Sequence, residues 1–399
     1  MVFYSFFSVP ESYKYTIKIL KFVSMKEKLL GMNPEQLRQA AQDCGLKPFV
    51  GNQLAGWLYS KRASTWDQMT NIGKDAKAKL QEKYDLGTSP YIGLAESSDG
   101  TKKYLFGVSA GSCRTGILHT TRSSEVRDRR EPGDVMGAEP PSNTADAVCV
   151  EAVMIPDEDR KTLCVSSQAG CKMGCKFCMT GRQGWHGNLD AADILNQFIS
   201  IDEAEALTNT VFMGMGEPLD NYEAVSKAIE VLTADWGFGW SPKRITLSTI
   251  GVIPTLKKYL DEQRCHLAVS LHNPFPEERL EMMPVQKAYP IKDVINLLKQ
   301  YDWSAQRRVS FEYTMFAGFN DDKRHADGLI RLLSGMECRV NLIRFHKIPD
   351  FPYDCATDFA MQAFRDRLNA HGITCTIRAS RGEDILAACG MLAGKHQEK

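Results

Sequence analysis

The sequence predicts an α/β protein in which a partial (β/α)6 barrel follows a small N-terminal helical domain. After position 161, segments with strand-like and helix-like patterns alternate six times, which is typical of a parallel sheet. Between positions 33 and 85, apolar residues recur at helical spacing instead. A cluster of cysteines follows the first strand of the alternating region, and complete barrels carry their sites at that end of the strands.

Length and composition set the broad class. The chain has 399 residues, more than one average domain, so we expect a large catalytic domain and a smaller one. Its 43% hydrophobic and 25% charged residues are ordinary for a soluble globular protein. No apolar run approaches the roughly 20 residues of a membrane helix, so no membrane span is predicted. The formal net charge is zero, so nucleic acid would have to bind a local basic patch.

The first 24 positions and the cysteines bear on the location of the protein. Positions 1–24 are aromatic-rich and lack the basic start and cleavage site of a signal peptide, so we interpret them as an unstructured extension ahead of Met25. Three of the 12 cysteines lie within eight residues, which favours a metal cluster in a reducing cytoplasm over a disulfide framework. Isolated cysteines in apolar segments are interpreted as small buried hydrophobic residues: Cys44, Cys265, Cys338 and Cys375.

Residues 25–90 are predicted to form a helical accessory domain that binds RNA. Asn33 is a typical N-cap and Pro34 suits the first helical position. Two more helices are expected around 49–58 and 72–80. The basic residues that could form one face are Lys47, Lys61, Arg62, Lys74, Lys77, Lys79 and Lys83. An ordinary solvated helical surface is the alternative interpretation.

Residues 91–160 are expected to be a β-rich connector, with strands at 104–108 and 148–155. Between these strands, 110–147 is rich in Arg, Ser, Pro and Asp and lacks apolar periodicity. We interpret it as a disordered insertion. Its arginines offer RNA contacts, with a solvated charged loop as the alternative: Arg122, Arg127, Arg129 and Arg130.

Residues 161–395 are predicted to form the barrel and a C-terminal tail that carries a cysteine. The strands are expected at 162–167, 210–215, 244–249, 266–271, 309–315 and 339–345. The helices are expected at 191–204, 222–233, 253–262, 291–301, 324–333 and 360–371. A further strand is expected at 374–379.

The cluster of Cys171, Cys175 and Cys178 has the spacing C-x3-C-x2-C. Structural zinc normally takes four protein ligands, and electron-transfer iron–sulfur clusters normally take four thiolates. Three thiolates on one loop leave one iron of a 4Fe–4S cluster open to chelate S-adenosylmethionine (SAM), which electron transfer cleaves to methionine and a 5′-deoxyadenosyl radical. The spacing therefore predicts a radical SAM barrel, with a zinc knuckle or chance spacing as the alternative.

Glycines and polar residues end the next strands of the predicted barrel. Gly216 and Glu217 lie in the sequence GMGEP after the second strand, where glycine lets the backbone approach a ligand and Glu217 can accept a hydrogen bond from an ammonium group. The third and fourth strands end in Ser248 and in Ser270, Leu271 and His272. A plain turn or a strand-end cap explains each of these alone, but together they predict a SAM pocket.

Taken together, these residues resemble the RlmN family, the radical SAM 23S rRNA adenine-C2 methyltransferases. The resemblance runs from about position 25 to position 395 and is interrupted by 110–147. It is carried by TLCVSSQAGC at 162–171, the cysteine cluster, GMGEP at 214–218, SLH at 270–272 and RGEDILAACG at 381–390. The paired cysteines of the family match Cys164 and Cys389, and its acidic residue ahead of the first barrel strand matches Glu151.

The resemblance implies a role for each matched residue. Cys389, as a thiolate, takes a methyl group from one SAM, and the radical from a second SAM removes hydrogen from that S-methyl group. The carbon radical adds to adenine C2, which is too electron-poor to attack a sulfonium methyl group itself. Glu151 removes the C2 proton, and Cys164 attacks the Cys389 sulfur to release methylated RNA and leave a disulfide.

The resemblance also implies partners. The RNA would be an adenosine in the peptidyl-transferase region of 23S rRNA and, in some members of the family, the adenosine 3′ of the tRNA anticodon. A reducing electron donor of flavodoxin or ferredoxin type is expected. His346 departs from the asparagine that family members often carry, and it is interpreted either as a contact to adenosine or as a loop histidine.

Three alternatives stay open at this point. A relative that methylates adenine C8 would share the cluster and both extra cysteines. A non-catalytic iron–sulfur or zinc protein that binds RNA would need neither extra cysteine. A radical SAM enzyme that acts on protein or on a small molecule would not need the basic helical region.

Overall fold

The computed structural model describes residues 26–108, 148–304 and 307–393. The expected N-terminal extension at 1–24 and the expected insertion at 110–147, with the four arginines named above, lie outside the described residues. Within these three ranges, no helix is both long and apolar enough to cross a membrane.

The N-terminal unit is helical, as predicted. Its elements are β1 (Glu27–Lys28), α1 (Pro34–Asp43), α2 (Phe49–Ala55), a π-helical turn (Gly56–Ser60), α3 (Lys74–Lys83) and β2 (Tyr84–Asp85). Asn33 caps α1 through a capping box, because its side chain accepts from the Gln36 amide and the Gln36 side chain accepts from the Asn33 amide, both at 2.9 Å. Lys28 joins this unit to the barrel through ion pairs with Asp193 at 2.6 Å and Asp190 at 2.9 Å.

The basic residues of this unit do not share one face. Each helical residue advances by about 100°, so the four lysines of α3 form two stripes on roughly opposite sides. One stripe holds Lys74 and Lys77, and the other holds Lys79 and Lys83. Arg62 points away from solvent, where its guanidinium donates to the Ala204 carbonyl and lies 4.5 Å from the centre of the Phe238 ring. Arg62 therefore connects the helical unit to the barrel and does not belong to an RNA-binding face.

A ten-stranded sheet runs through the centre of the described structure. The remaining strands are β3 (Gly93–Glu96), β4 (Lys102–Gly107), β5 (Cys149–Asp157), β6 (Arg160–Cys164), β7 (Gln168–Gly170), β8 (Trp185–Asn188), β9 (Asn209–Phe212), β10 (Ile245–Thr249), β11 (His266–Ser270), β12 (Val309–Met315), β13 (Arg339–Arg344) and β14 (Thr374–Ile377). All of these except β7 and β8, which pair with each other, belong to the large sheet.

The sheet combines a parallel barrel with an antiparallel extension. Strand β6 pairs with β9, and the order continues through β10, β11, β12 and β13 to β14 with every pair parallel. On the other side of β6, strands β5, β4 and β3 follow as antiparallel neighbours. In the described sheet β3 and β14 are the two ends of the order, so the predicted partial barrel is confirmed. The predicted connector shares this sheet with the barrel.

Helices connect the barrel strands and follow them along the chain. They are α4 (Met179–Arg182), α5 (Ala191–Ile199), α6 (Tyr222–Thr233), α7 (Ile253–Glu262), α8 (Pro276–Met282), α9 (Ile291–Leu298), α10 (Lys323–Leu333) and α11 (Asp358–Ala370). Helix α9 shows why they pack as they do, because it buries Ile291, Val294, Ile295 and Leu298 at the spacing of one helical face.

The positions at which β6 and β9 end show where the loops of the candidate site begin. Helices α6 and α7 have the predicted bounds, whereas β6 and β9 end three residues earlier than predicted, at Cys164 and Phe212. The chain leaves the sheet at both points and forms adjacent loops, in which the Gly214 amide donates to the Val165 carbonyl at 3.0 Å. Because the barrel strands are parallel, these loops and the later strand ends meet at one edge of the sheet.

Candidate active site

The three clustered cysteines lie on the loop between β7 and α4, beyond the carboxyl end of β6. This cluster loop comprises residues 171–178. Its first part is fixed because the Cys171 amide donates to the Gly184 carbonyl at 2.8 Å, and its second part because the Lys176 amide donates to the Met282 carbonyl at 3.0 Å. Both halves of the loop are therefore held by backbone bonds to neighbouring segments.

The three thiols lie close enough together for their charges to interact. Burial is the main cause that raises the pKa of each thiol, to about 12 for Cys171 and well above the usual value for Cys175. Amide groups oppose this effect by donating to sulfur, from Met173 to Cys171 and from Thr180 and Gly181 to Cys178. Such hydrogen bonds are typical of cluster sulfurs, and a bound metal would stabilise the thiolates that burial disfavours.

The donor set of the cluster loop, three thiols on one short segment, is compatible with a 4Fe–4S cluster. Nowhere in the residues that the structure describes do three Cys, His, Asp or Glu side chains converge as ligands of one metal ion. In a 4Fe–4S cluster each thiolate binds a different iron, so the three sulfurs do not have to meet at one point.

The turn after β9, residues 214–218, packs against the segment after β6. Gly216 has φ +102°, and a Cβ atom there would lie 2.6 Å from the Cβ of Gln168 and 2.8 Å from its backbone nitrogen. The Gln168 side chain accepts from the Glu217 amide at 2.8 Å and donates to Asp220 at 2.7 Å. Gly216 is therefore required by a close approach of two backbones, and this approach brings the turn beside the cluster loop.

Glu217 is buried among neutral hydrogen-bond donors. Its carboxylate accepts from the Thr249 hydroxyl at 2.6 Å, the Ile250 amide at 2.9 Å and the Leu219 amide at 3.1 Å. Burial raises the pKa of Glu217 to about 7, although these three hydrogen bonds act in the opposite direction. A carboxylate has about four acceptor sites, so one site is left for a further donor such as an ammonium group.

The ends of β10 and β11 supply the other predicted pocket residues. Ser248 in β10 and Ser270 at the end of β11 are half-buried at the same edge of the sheet as the cluster loop. The amides of Leu271 and His272 both donate to the Glu312 carbonyl, at 3.1 and 3.2 Å. These bonds bind the end of β11 to β12.

His272 is a neutral donor next to the cluster loop. Its Nδ1 accepts from the Thr314 amide at 3.0 Å, so the neutral ring carries its proton on Nε2. Burial, and secondarily Arg279, lowers the pKa of His272 to about 3. The ring lies edge-on to Phe177 of the cluster loop, with 4.9 Å between ring centres. His272 can therefore donate one hydrogen bond to a ligand at this loop.

Arg279 is a fully buried cation behind the cluster loop. Its guanidinium donates to the carbonyls of Leu271 at 2.9 Å and Ser270 at 3.0 Å, and to the Gln286 side chain at 2.6 Å. Burial lowers the pKa of Arg279 to about 10, and the charge of Cys175 partly opposes that change. Arg279 thus fixes the end of β11 and places a positive charge near a cluster thiol.

Glu151 lies on β5 and is in contact with the C-terminal tail. Its side chain is buried, with Oε1 3.1 Å from the Lys103 ammonium and Oε2 accepting from the Ala393 amide at 2.7 Å. The Glu151 carbonyl accepts from the Ser166 hydroxyl at 2.6 Å, just beyond the end of β6. Glu151 therefore joins the antiparallel strands, the first barrel loop and the tail.

The segment 380–393, called the cysteine tail below, is bonded to α4. Its Gly390 carbonyl accepts from the Met179 amide at 2.8 Å, and its Leu392 carbonyl accepts from the Thr180 hydroxyl at 2.7 Å. These contacts place the tail against the residues that directly follow the cluster loop.

The structure brings Cys164 and Cys389 together as two free thiols. Burial and then the charge of Cys389 raise the pKa of Cys164 to about 12, and Cys389 also acts on Cys178 of the cluster loop. Cys389 itself is exposed. Burial disfavours the charge of Arg378, but Cys389 and other acidic neighbours outweigh it and raise the pKa of Arg378. A cation is therefore available beside both thiols.

His346 contacts the beginning of the cysteine tail. Its Nε2 is 3.0 Å from the Ser380 hydroxyl, and its Nδ1 is 3.8 Å from the Glu383 carboxylate. Burial is the main cause that lowers the pKa of His346. The contact to adenosine stays a prediction.

Sequence patterns did not identify Lys103, Arg279, Arg378 or Gln168. Lys103 lies within β4, and the apolar run at 104–106 that directly follows it is the one available signal. Arg279 lies in the charged sequence PEERLEM, where nothing distinguishes a buried arginine from a solvated one.

Two family models match the chain. The Radical SAM superfamily matches residues 165–327, which include the cluster loop and most of the barrel. The ribosomal RNA large subunit methyltransferase N-terminal domain matches residues 27–86, which form the helical unit.

Individual proteins match along almost the whole chain. The probable dual-specificity RNA methyltransferase RlmN of Porphyromonas gingivalis W83 is 53% identical over 370 residues, covering 93% of this chain and 98% of that protein. The dual-specificity RNA methyltransferase RlmN of Syntrophus aciditrophicus is 35% identical over 372 residues, covering 92% and 97%. The crystal structure of a radical SAM methyltransferase from Sphaerobacter thermophilus has a TM-score of 0.80 at 32% identity and covers 92% of this chain and all of that one. The chain therefore belongs to the RlmN family of radical SAM RNA methyltransferases.

Proposed function

We propose that this enzyme methylates C2 of an adenosine in the peptidyl-transferase region of 23S rRNA and of the adenosine 3′ of the anticodon in tRNA. The observation that carries the proposal is the contact between Glu151 and the cysteine tail, 2.7 Å from Oε2 to the Ala393 amide. It supports the proposal because Glu151 contacts the tail that carries Cys389, and the charge of Cys389 acts on Cys164 and on Cys178 of the cluster loop. Family membership supports RNA as the substrate, and the dual specificity in the names of the relatives supports two kinds of RNA.

We assign the cofactor site to the edge where the barrel strands end. Cys171, Cys175 and Cys178 would hold a 4Fe–4S cluster, which supplies the electron that cleaves SAM into methionine and a 5′-deoxyadenosyl radical. The residues proposed to contact SAM are Gly216, Glu217, Ser248, Ser270, Leu271 and His272, with His346 proposed to contact an adenosine. Glu217 has one acceptor site left for the amino group, and His272 offers its Nε2 proton.

The other steps depend on side chains of the chain itself. The Cys389 thiolate, with Arg378 nearby, forms an S–C bond to the methyl group of one SAM and displaces S-adenosylhomocysteine. After a hydrogen atom is removed from this S-methyl group, its carbon bonds to adenine C2. The adduct then gives one electron to a carrier of flavodoxin or ferredoxin class and its C2 proton to Glu151.

Cys164 completes the cycle. Its sulfur bonds to the Cys389 sulfur, the S–C bond breaks, and the carbon takes up a proton to become the methyl group of the product. Two thiols are thereby oxidised to a disulfide, which a cellular dithiol must reduce before the next cycle. Such reducing conditions, together with rRNA and tRNA, are found in the cytoplasm, where we expect the enzyme to act.

The helical unit is proposed to bind the phosphate backbone of the RNA. The two lysine stripes of α3 would contact phosphates independently, because they lie on opposite sides of the helix. Binding should therefore weaken as salt is added, and Lys74→Gln together with Lys77→Gln should reduce the salt dependence. Affinity that is insensitive to salt would contradict this role.

The test is mass spectrometry of nucleosides from 23S rRNA and tRNA of cells that lack their own adenine methylase and express this chain. We expect 2-methyladenosine in both RNAs with the wild-type chain and none with Cys389→Ala. Cys338→Ala is the matched control, because Cys338 directly precedes β13 at the opposite edge of the sheet. Finding 8-methyladenosine would replace C2 by C8 as the target, and finding neither product with an intact cluster would refute the proposed substrate.

A further inference from the structure

Lys103 lies on the same face of the sheet as Glu151 and reaches it diagonally across two strands. In the antiparallel register of β4 and β5, Lys103 is opposite Val153 and Leu105 is opposite Glu151. All four side chains therefore lie on one side of the sheet. The Lys103 side chain is 10% exposed and that of Glu151 is 3% exposed. A charge buried this deeply is strongly unfavourable unless an opposite charge accompanies it.

The Lys103 ammonium contacts both the carboxylate and the cysteine tail. It lies 3.1 Å from Glu151 Oε1 and donates to the Leu386 carbonyl at 3.4 Å. The other carboxylate oxygen, Oε2, accepts from the Ala393 amide at 2.7 Å. Lys103 and Glu151 thus hold the tail on both sides of Cys389, three residues before it and four residues after it.

The same hairpin also holds the beginning of the tail. In the turn between β3 and β4, the Ser97 hydroxyl donates to the Asp384 carboxylate at 2.5 Å. The Gly382 amide donates to the Asp99 carboxylate in that turn at 3.0 Å. The tail therefore follows the hairpin from its turn to the beginning of β4, where Lys103 contacts Glu151.

We propose that Lys103 is a positioning residue that holds the Glu151 carboxylate and the Cys389 tail in one arrangement, so that the proton acceptor and the methyl-carrying sulfur face the same adenine. This proposal rests on the function proposed above. Lys103 would touch no reacting atom. In the cycle the Cys389 sulfur exchanges its bond to RNA carbon for a bond to Cys164, so the tail contacts must rearrange. Lys103 and Glu151 lie on paired strands, which keeps the carboxylate in place through that change.

The neighbouring residue provides a matched control. Lys102 lies on the same strand with its side chain on the opposite face, 2.7 Å from Glu203. Tyr104 also points to that face and donates to Glu203 at 2.6 Å. Lys102→Met and Lys103→Met therefore each remove one ion-paired lysine from β4, but only Lys103→Met removes contacts to Glu151 and the cysteine tail.

The first measurement is hydrogen–deuterium exchange of the tail amides in the full-length enzyme without RNA. Lys103→Met is expected to speed exchange in residues 386–393 about tenfold, because two anchors of that segment are weakened. Lys102→Met should leave these amides as in the wild type, and Lys103→Arg should restore most of the protection. Unchanged exchange in Lys103→Met would overturn the proposal.

The second measurement follows the covalent adduct between enzyme and RNA through a single turnover, together with the methyl content of Cys389. Lys103→Met is expected to carry the normal amount of S-methyl group but to resolve the adduct about 10- to 100-fold more slowly, because a misplaced carboxylate takes the C2 proton less efficiently. Lys103→Arg should recover much of the rate of adduct resolution, and Lys102→Met should resolve the adduct at the wild-type rate.

These results separate the two proposals. If the wild type forms no 2-methyladenosine, the proposed function fails, whereas the exchange data still decide whether Lys103 holds the tail. If the wild type is active and Lys103→Met resolves the adduct at the normal rate, the positioning role is refuted even when exchange is faster, because Lys103 would then be structural only.

Discussion

Replacing Glu217 by glutamine is expected to change how the stability of the metal-free protein depends on pH. Burial raises the pKa of Glu217 from 4.5 to about 7 in the folded protein. In the unfolded chain the pKa of this carboxyl group returns to its ordinary value of 4.5. Between about pH 4.5 and about pH 7 the folded state binds more protons than the unfolded state. The free energy of unfolding therefore falls as pH rises through this range and changes little at higher pH.

The size of the effect follows from the gap between the two pKa values. The difference between 4.5 and about 7 corresponds to about 3 kcal/mol. Glutamine cannot ionise, so Glu217→Gln should gain about 2.5 kcal/mol relative to the wild type as pH rises from 5 to 8. At pH 5 the variant should be the less stable protein, because its NH2 group replaces one oxygen and cannot accept. Either the Ile250 amide or the Thr249 and Leu219 donors then lose their acceptor.

Urea unfolding followed by circular dichroism at pH 5, 6, 7 and 8 would measure this difference. Glu203→Gln is the control, because hydrogen bonds from Lys102 and Tyr104 keep the pKa of Glu203 below its usual value despite burial. The contribution of Glu203 is lost only as pH falls below about 4.5, so its variant should differ from the wild type by a constant amount across this range. A pH-independent difference for Glu217→Gln, constant within about 0.5 kcal/mol, would refute the burial argument.

Three further changes test the packing of the site and of the helical unit by urea unfolding. Gly216→Ala should lower the free energy of unfolding by about 2–4 kcal/mol, because the added Cβ would lie 2.6 Å from Gln168. The control Gly335→Ala also has a positive φ, +75°, but open space around it, and should lose about 1 kcal/mol. Equal losses in the two variants would contradict the steric explanation. Arg279→Met should cost about 3 kcal/mol or more because it leaves the buried acceptors unpaired, and a neutral effect would show that they find other donors. Asn33→Ala should cost about 1 kcal/mol through loss of the capping box, with no change expected in the barrel.

Elements with a strong local signal were predicted well. Helices α6 and α7 have the predicted bounds, Tyr222–Thr233 and Ile253–Glu262, because their apolar stripes begin and end together with the helical backbone. The N-cap at Asn33 is also a local signal, since the cap and the amide that it accepts from lie within four residues. The alternation of strands and helices was sufficient to predict the partial barrel.

Contacts between distant segments were not predictable in this way. Lys103 and Arg279 look like ordinary surface charges in the sequence, because burial depends on which strands and helices pack against them. The suggestion that Arg62 belongs to a basic face was wrong for the same reason, since its partners Ala204 and Phe238 lie in the barrel. The spacing of the three cluster cysteines was enough to predict an iron–sulfur cluster, but Cys164 and Cys389 were identified only through the family resemblance.

The bond between Glu151 and Ala393 joins residues 242 positions apart. Every strand of the barrel is synthesised after Glu151 and before the cysteine tail, so Cys389 is the last of the reactive groups to be added to the chain. Closing so long a loop costs entropy, and this cost is smaller once the folded barrel holds the two ends of the loop near each other. The order of synthesis therefore completes the set of reactive groups only after the cluster loop and all barrel strands have been made.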